Sequence, residues 1–569
     1  MKFPTLAEHL RQLASLAEIR GAADAPDLRS TIVRLDRLSP AEAVGLEQRI
    51  RHAESAEGID LPPAATARLR EFAAGRADLA VRASRAGLPR LLRRLLELET
   101  VTEDEAVIVA RDLRVVTLAD LQSALRDGRV SRLLPQAAAG LAAASETLAG
   151  ETRPTPLGRA IEILSSVQDL IAHHCPFLED VVHGGDARRF EPLVSQLVLV
   201  GNAAARPAAV AALCAMPDVE DVIHRTSRRV VFLTHNVEVD VQVAAPDDYG
   251  TVLFASTGSI EHVGAVWSRR RPALFSGEEQ VYAHAGLPFI PAEMRHDTGE
   301  IEAAVGGRLP RLVSRSDIRG DLHLHSSYSD GQDTLETMVS ASVALGYDYI
   351  AITDHSERAA AARTLTLDTL ARQRDEIQRL RAQYPKITIL HGIEVDILPD
   401  GSLDFADAIL EQLDIVLASL HDAARQDGPA LTKRCLQAIR HPLVNVITHP
   451  ANRLVGRRPG YALDFPEIYA AAAATGTALE IDGAPSHLDL EGEQARAAVA
   501  AGVTVTVDSD CHRARALGRQ MTLGIGTARR GWVEPRNVLN CRPIGDVLRF
   551  IQTKRSGRTQ PPARPQAAC

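Results

Sequence analysis

Nine side chains between positions 323 and 512 have the types and spacing of a metal-assisted hydrolytic centre. His323 and His325 stand two apart in "DLHLH", so an extended backbone turns both to one side. Asp330 follows in "SYSDG", His355 closes "ITDH", and Glu394 lies in "HGIEVD". His421 ends "LASLH", His449 ends "VITHP", and Asp510 and His512 repeat the spacing of two in "DSDCH". Imidazole nitrogen and carboxylate oxygen bind Mn, Zn or Fe ions, with identity set by geometry and supply. Nine donors exceed what one tetrahedral ion takes, so the set implies two or three divalent metal ions. Clustered ions activate a water and stabilise charge on a phosphoryl oxygen and its leaving group. A lone histidine is usually an ordinary core or surface residue, but that reading does not explain donors at successive strand ends. His391, His441 and His487 fall off the pattern and are left out of the ligand set.

The elements that must position these residues alternate. Over 320–545 the strand patterns are "DLHLH", "YDYIAITDH", "ITILHGIEVDI", "DIVLASLH", "VNVITHP", "TALEID" and "VTVTVDSD". Helical patterns such as "TLETMVSASVALG" and "LDTLARQRDEIQRLRAQY" separate several of them. This order implies a parallel sheet with crossover helices, closed into a β/α barrel whose strand ends converge on one rim. Residues 1–150 are helical in pattern, with "TLAD" as a helix start at Thr117. Residues 151–290 mix helix with the strands "SQLVLVG", "RRVVFLT" and "VEVDVQVA". The segment 291–319, rich in Pro, Gly and charge, reads as a linker, and 546–569 as a disordered tail. The fold class is therefore multidomain, with an all-α front, an α+β middle and a distorted β/α barrel at the C-terminus.

The 569 residues suffice for three or four domains, and 45% hydrophobic with 24% charged content is that of a soluble globular protein. A net charge of −9 does not indicate a chain that grips long DNA mainly through phosphate contacts, and it leaves a local basic groove open. The six cysteines are scattered without a CxxC pair, which excludes a zinc ribbon and fits a reducing cytoplasm. The N-terminal stretch lacks a signal-peptide core, and no apolar run is long enough for a membrane span.

"DLHLHSSYSDG", "TDH", "GIEVD", "SLH", "THP" and "DSDCH" resemble the ordered motifs of the PHP (polymerase and histidinol phosphatase) domain. "TGEIEAAVGGRLPRLVSRSDIRGDLHLH" and "RRGWVEPRNVLNCRP" resemble the joining and closing segments of family X DNA polymerases of bacteria and archaea, which carry a C-terminal PHP domain. "VEVDVQVAAPDDYGTVLFASTGSIEH" is similar to their palm strand and nucleotide-contact turn. The resemblance implies a seven-stranded distorted barrel holding up to three metals, with each of the nine positions matching a family ligand. It also implies a helix-hairpin-helix-like DNA-binding front over 1–150 and a nucleotidyltransferase-like palm and thumb over 151–290. The family's PHP domain acts as a Mn-dependent 3′–5′ exonuclease on DNA ends in repair.

The chain departs from that family in its front half. Of three palm carboxylates, two map onto Gln196 and Val198, and Asp240 alone matches. Magnesium needs hard oxygen ligands beside the triphosphate, so the loss implies that polymerisation is gone. Arg188, Arg189, Gly258 and Ser259 remain as candidate substrate-binding residues of the palm. The glycine turns that hold DNA phosphates map onto "LETVTEDEA" and "LLPQAAAG", which lack the glycine pair. In the PHP region, Asp482 stands for an amide and His487 for an arginine in "EIDGAPSHLDL". Arg453, Arg457 and Arg458 are candidates for gripping substrate phosphate. The leading reading is a metal-dependent phosphoesterase, a 3′–5′ nuclease on DNA ends with no membrane association. The alternatives are a small-molecule phosphatase of histidinol-phosphatase type and an active gap-filling polymerase. The front half can also serve as a protein-interaction module in any hydrolase reading.

Overall fold

The computed structural model describes residues 6–39, 42, 46, 61–73, 81, 84–85, 88–98, 100–151, 154–234, 237–359 and 363–557. They divide into two compact units, one of residues 1–153, 167–182 and 198–246, the other of 154–166, 183–197 and 247–569. This partition cuts across the sequence-based boundaries near 150 and 290, because the chain crosses between the units more than once.

Up to residue 151 the described residues of the first unit form helices joined by turns, and the unit also carries a five-stranded sheet. Thr117 caps its helix through Asp120: the Thr117 N–H donates to the Asp120 carboxylate (2.9 Å) and the Thr117 hydroxyl accepts from the Asp120 N–H (3.2 Å). Leu92, Leu95, Val109 and Leu121 are buried in the helical core. The sheet has β1 (Glu179–His183), β2 (Leu197–Asn202), β3 (Asp221–Arg225), β4 (Arg229–Thr234) and β5 (Val237–Ala244), in the order β1-β2-β5-β4-β3. The three strands read from sequence in this region all form.

In the second unit, the segment read as a linker is packed structure. A 3₁₀ turn spans Ala292–Met294 and a helix spans Glu300–Val305, with Met294, Arg295 and Ile301 buried. Pro, Gly and charge suggested exposure, but these charges are paired inside. Arg295 meets Glu278 at 2.5 Å with its guanidinium 5.2 Å from the Tyr282 ring, and Glu300 meets His262 at 2.5 Å.

The barrel strands are β6 (Gly320–Leu324), β7 (Tyr349–Ile352), β8 (Thr388–Asp396), β9 (Ile415–Ser419), β10 (Val446–Ile447), β11 (Ala478–Asp482) and β12 (Val505–Asp508). They lie in sequence order and each neighbouring pair is parallel. A parallel bridge from Leu324 to Cys511, with the His325 N–H on the Cys511 carbonyl at 3.1 Å, brings the two edges together into a nearly closed barrel. Strands covered on both faces need apolar side chains on both, which is why these segments read as continuous Val, Ile, Leu and Ala runs. The expected tail is in part a helix, Ile544–Arg555. Its Val547, Phe550 and Ile551 sit at helical spacing and pack on Leu322, Tyr349 and Ile415 of the barrel. The polar stretch that follows masked this pattern; residues 558–569 lie outside the described residues.

Phe550→Ala should destabilise the barrel by about 3–5 kcal/mol. The check is the denaturant midpoint of its unfolding transition, and an unchanged midpoint would show that this helix is peripheral.

Candidate metal centre

Each barrel strand except β11 delivers one or two of the residues at or just past its C-terminal end, eight of the nine in all, and Asp330 follows in the turn after β6. Glu394, wholly buried, is the hub. Its Oε2 lies 2.8 Å from His355 Nδ1 and 3.4 Å from His323 Nε2. Its Oε1 lies 3.2 Å from His421 Nε2 and 3.0 Å from His449 Nε2. Asp330 Oδ1 lies 3.1 Å from His512 Nε2 and 3.6 Å from His355 Nε2. His325 Nε2 is 3.0 Å from both His323 Nε2 and Asp510 Oδ1. Behind Asp330, a Cβ on Gly331 would come within 2.6 Å of the Ser326 backbone, so this turn admits glycine alone without a shift. His449 and Asp510 have φ of 24° and 47°, a region that non-glycine residues adopt only when their surroundings impose it.

Three groups of donors converge so that one ligand atom from each member lies within 4.8 Å of the others. They are His325, Asp330, His355 and His512; His323, His325 and Asp510; and His355, Glu394 and His421. His449 belongs to none of the three but touches Glu394. The donors suit cations. His355 Nδ1 and Glu394 Oε2 are buried and 2.8 Å apart, yet they lack hydrogen-bond geometry to any partner. Two donors so placed aim at a shared point. Among the described residues, the ion pairs of Glu394, Asp330 and Asp510 are all with histidine, none with Lys or Arg.

Without a cation, the imidazoles carry the compensating charge. Burial disfavours the Glu394 anion, but His355, His421 and His323 hold its pKa well below the usual carboxylate range. Burial opposes charge on His512, but Asp330 and Asp510 outweigh it and raise its pKa to about 9. His421 rises to about 9 against burial, through Glu394 and Asp396. His325 falls to about 3, through burial and the facing His512 and His355. Proton and metal thus compete for the same nitrogens.

Sequence reasoning missed the residues that orient these donors. Glu480 on β11 accepts from His323 Nδ1 at 2.7 Å, and its other oxygen accepts the His449 N–H at 2.8 Å. Asp396 accepts from His421 Nδ1 at 2.5 Å. Asp354 accepts from the Ser326 N–H at 2.8 Å and from Gln373 at 2.6 Å. The available signal was the period of two: Asp396 follows Glu394, and Glu480 precedes Asp482, on the same face of a strand. His391 and His441 bond elsewhere, to Gln373 and Asp407. His487 does not stay apart: its ring lies parallel to His449, 5.1 Å away.

Several other candidates are occupied structurally. Arg453 donates to the His487 carbonyl (2.8 Å), the Leu488 carbonyl and Glu491 (2.6 Å), so its guanidinium fastens a loop. Arg457 and Arg458 are exposed on a cavity of about 520 Å³, with Arg458 5.7 Å from the Tyr461 ring. Arg188 is paired with Glu278 at 2.6 Å, and Arg189 with Asp186 at 2.6 Å and the Thr257 carbonyl. Gly258 ends a helix where a Cβ would meet Val263 at 2.9 Å. Ser259 caps the next helix by accepting the His262 N–H at 3.1 Å. Asp240, 3% exposed on β5, takes Arg229 in both oxygens (2.9 and 2.6 Å) and Gln242 in one (3.0 Å). Val198, buried on the neighbouring β2, offers no oxygen.

Glu480→Gln removes the carboxylate that fixes the His323 tautomer. Metal affinity of the rim should fall about 10–100-fold in a titration of metal-free protein; unchanged affinity would show that Glu480 does not orient a ligand.

A family model described as "PHP domain" matches residues 321–456. The "DNA polymerase/3′-5′ exonuclease PolX" of Bacillus subtilis strain 168 is 34% identical over 419 residues, covering 70% of this chain and 73% of that protein. A "Probable phosphatase" of Shewanella oneidensis is 32% identical over 212 residues, covering 35% of this chain and 78% of that protein. The solved histidinol phosphate phosphatase of Lactococcus lactis, complexed with Zn, L-histidinol and phosphate, aligns at 21% identity and a TM-score of 0.32, covering 38% of this chain and 94% of that one. With the polymerase match running through most of both chains and the PHP match falling on five of the six donor-bearing strands, the chain belongs to the family X DNA polymerases with a C-terminal PHP domain, and it is a metal-dependent phosphoesterase.

Proposed function

We propose that the chain is a 3′–5′ nuclease that trims DNA ends in repair through its barrel rim, and that its polymerase activity is lost. The observation that carries this reading is the convergence of eight of the nine donors into three groups, with His449 on the shared Glu394. Bound Mn, Zn or Fe ions would polarise a phosphoryl oxygen and activate a water. The chain's own part is positional. Glu480 and Asp396 take the Nδ1 protons of His323 and His421, leaving each Nε2 with its lone pair toward the rim. Arg457 and Arg458, exposed on the loop that follows His449, remain the arginine candidates for a substrate phosphate. The exonuclease named in the Bacillus subtilis relative supports DNA ends as substrate.

The palm supports loss of nucleotidyl transfer. Gln196 and Val198 stand where two carboxylates are needed, and Asp240 is bound on both oxygens by Arg229. No described helix is long and apolar enough to cross a membrane. The free cysteines among the described residues fit work in the cytoplasm. The helical front then serves as scaffold or contacts another protein.

A second reading, a small-molecule phosphatase, is favoured by the phosphatase relative, which matches a segment the length of the barrel. Turnover of histidinol phosphate against a 3′-labelled oligonucleotide separates the two, and preference for the former would displace the nuclease reading. With Mn²⁺, His323→Ala should abolish shortening of the oligonucleotide, whereas Asp240→Ala should leave its rate unchanged. Equal loss in both variants would contradict the assignment.

A further inference from the structure

Asp482 and His487 take no part in the nine-residue set, yet they face it. Asp482 closes β11 and is wholly buried. Its Oδ1 accepts the Ala484 N–H at 2.5 Å, while its Oδ2 is buried without a hydrogen-bond partner. Buried carboxylate oxygens normally find a donor or a cation. His487 lies in the loop that follows, half-buried. Its Nδ1 donates to the Arg453 carbonyl at 2.9 Å, which leaves Nε2 with the lone pair that a cation needs. One ligand atom each from Asp482, His487 and Asp510 lies within 4.8 Å of the other two.

The loop is fixed before any ligand arrives. The Arg453 guanidinium holds the carbonyls of His487 and Leu488 and the carboxylate of Glu491. The Asp482 N–H donates to the Asp489 carbonyl at 2.7 Å and the Leu490 N–H to the Glu480 carbonyl at 2.9 Å. Arg453 is thereby turned to the loop backbone, and no described Lys or Arg pairs with Asp482 or Asp510. The ring of His487 is held parallel to that of His449.

We propose that Asp482, His487 and Asp510 hold an additional divalent cation beside the nine-residue set, with Asp510 shared between the two. Two carboxylates and an imidazole suit Zn²⁺ or Mn²⁺. Three protein donors leave coordination positions open, so this ion can take a phosphate oxygen of the substrate directly. The inference rests on the reading of Asp510 as a rim ligand.

The test is metal content. Chelator-stripped full-length protein is dialysed against Mn²⁺, and separately Zn²⁺, and bound metal per chain is counted for wild type, Asp482→Asn and His487→Asn. Each variant should hold one ion fewer than wild type, and crystals of wild type should show an anomalous peak among the three side chains. Equal counts in all three proteins, or no such peak, overturn the additional site while the rim reading stands. Wild type that binds no metal would instead overturn the rim reading. The diffraction arm decides the matter even where a variant fails to fold.

Discussion

Buried negative charge without basic side chains is the constraint on which the rest of this barrel depends. Glu394 and Glu480 are wholly buried, Asp510 is nearly so, and Asp330 faces them across imidazoles. A carboxylate taken out of water must be protonated, paired or metal-bound. Here the pairing falls to histidines, which act as counter-ions only where neighbouring acids raise their pKa, as at His421 and His512, and which are good metal ligands. The barrel pays for this with two left-handed backbone positions, at His449 and Asp510, and with a layer of acids behind the donors. Such a layer makes sense where imidazole tautomers must be fixed for cations.

The front half answers the same constraint in the opposite way. Asp240, Glu278 and Asp186 are each matched by arginine. Paired in this manner, buried charges are compensated within the protein and present no vacant oxygens to magnesium. A palm that kept its catalytic role would need the reverse arrangement. The contrast between the two halves, more than any single substitution, supports the view that phosphoester chemistry resides in the barrel.

Much of this was legible in sequence, for a physical reason. A parallel barrel demands buried apolar strands, and its ligands must end them, so "LASLH" and "VITHP" carry both signals in one run of residues. The orienting acids were harder to read. Glu480 looks like any strand carboxylate until its distance to His323, 157 positions away, is known. His487 falls off the strand-end pattern, although "EIDGAPSHLDL" departs from the family close to the ligands, and the fold sets its ring against His449. Composition misled at 291–319 and 546–557, where charge and proline-rich neighbours hid buried pairs and an amphipathic helix. Composition reports average exposure, whereas Arg295 is buried because one partner, Glu278, awaits it.

A gapped duplex with a labelled 3′ end is incubated with the purified full-length chain, Mn²⁺ and all four deoxynucleoside triphosphates, so that shortening and extension compete in one tube. A ladder of shortened products is expected, with none longer than the starting strand. Template-dependent extension would contradict the proposed loss of polymerisation, and an unchanged strand would contradict the proposed nuclease.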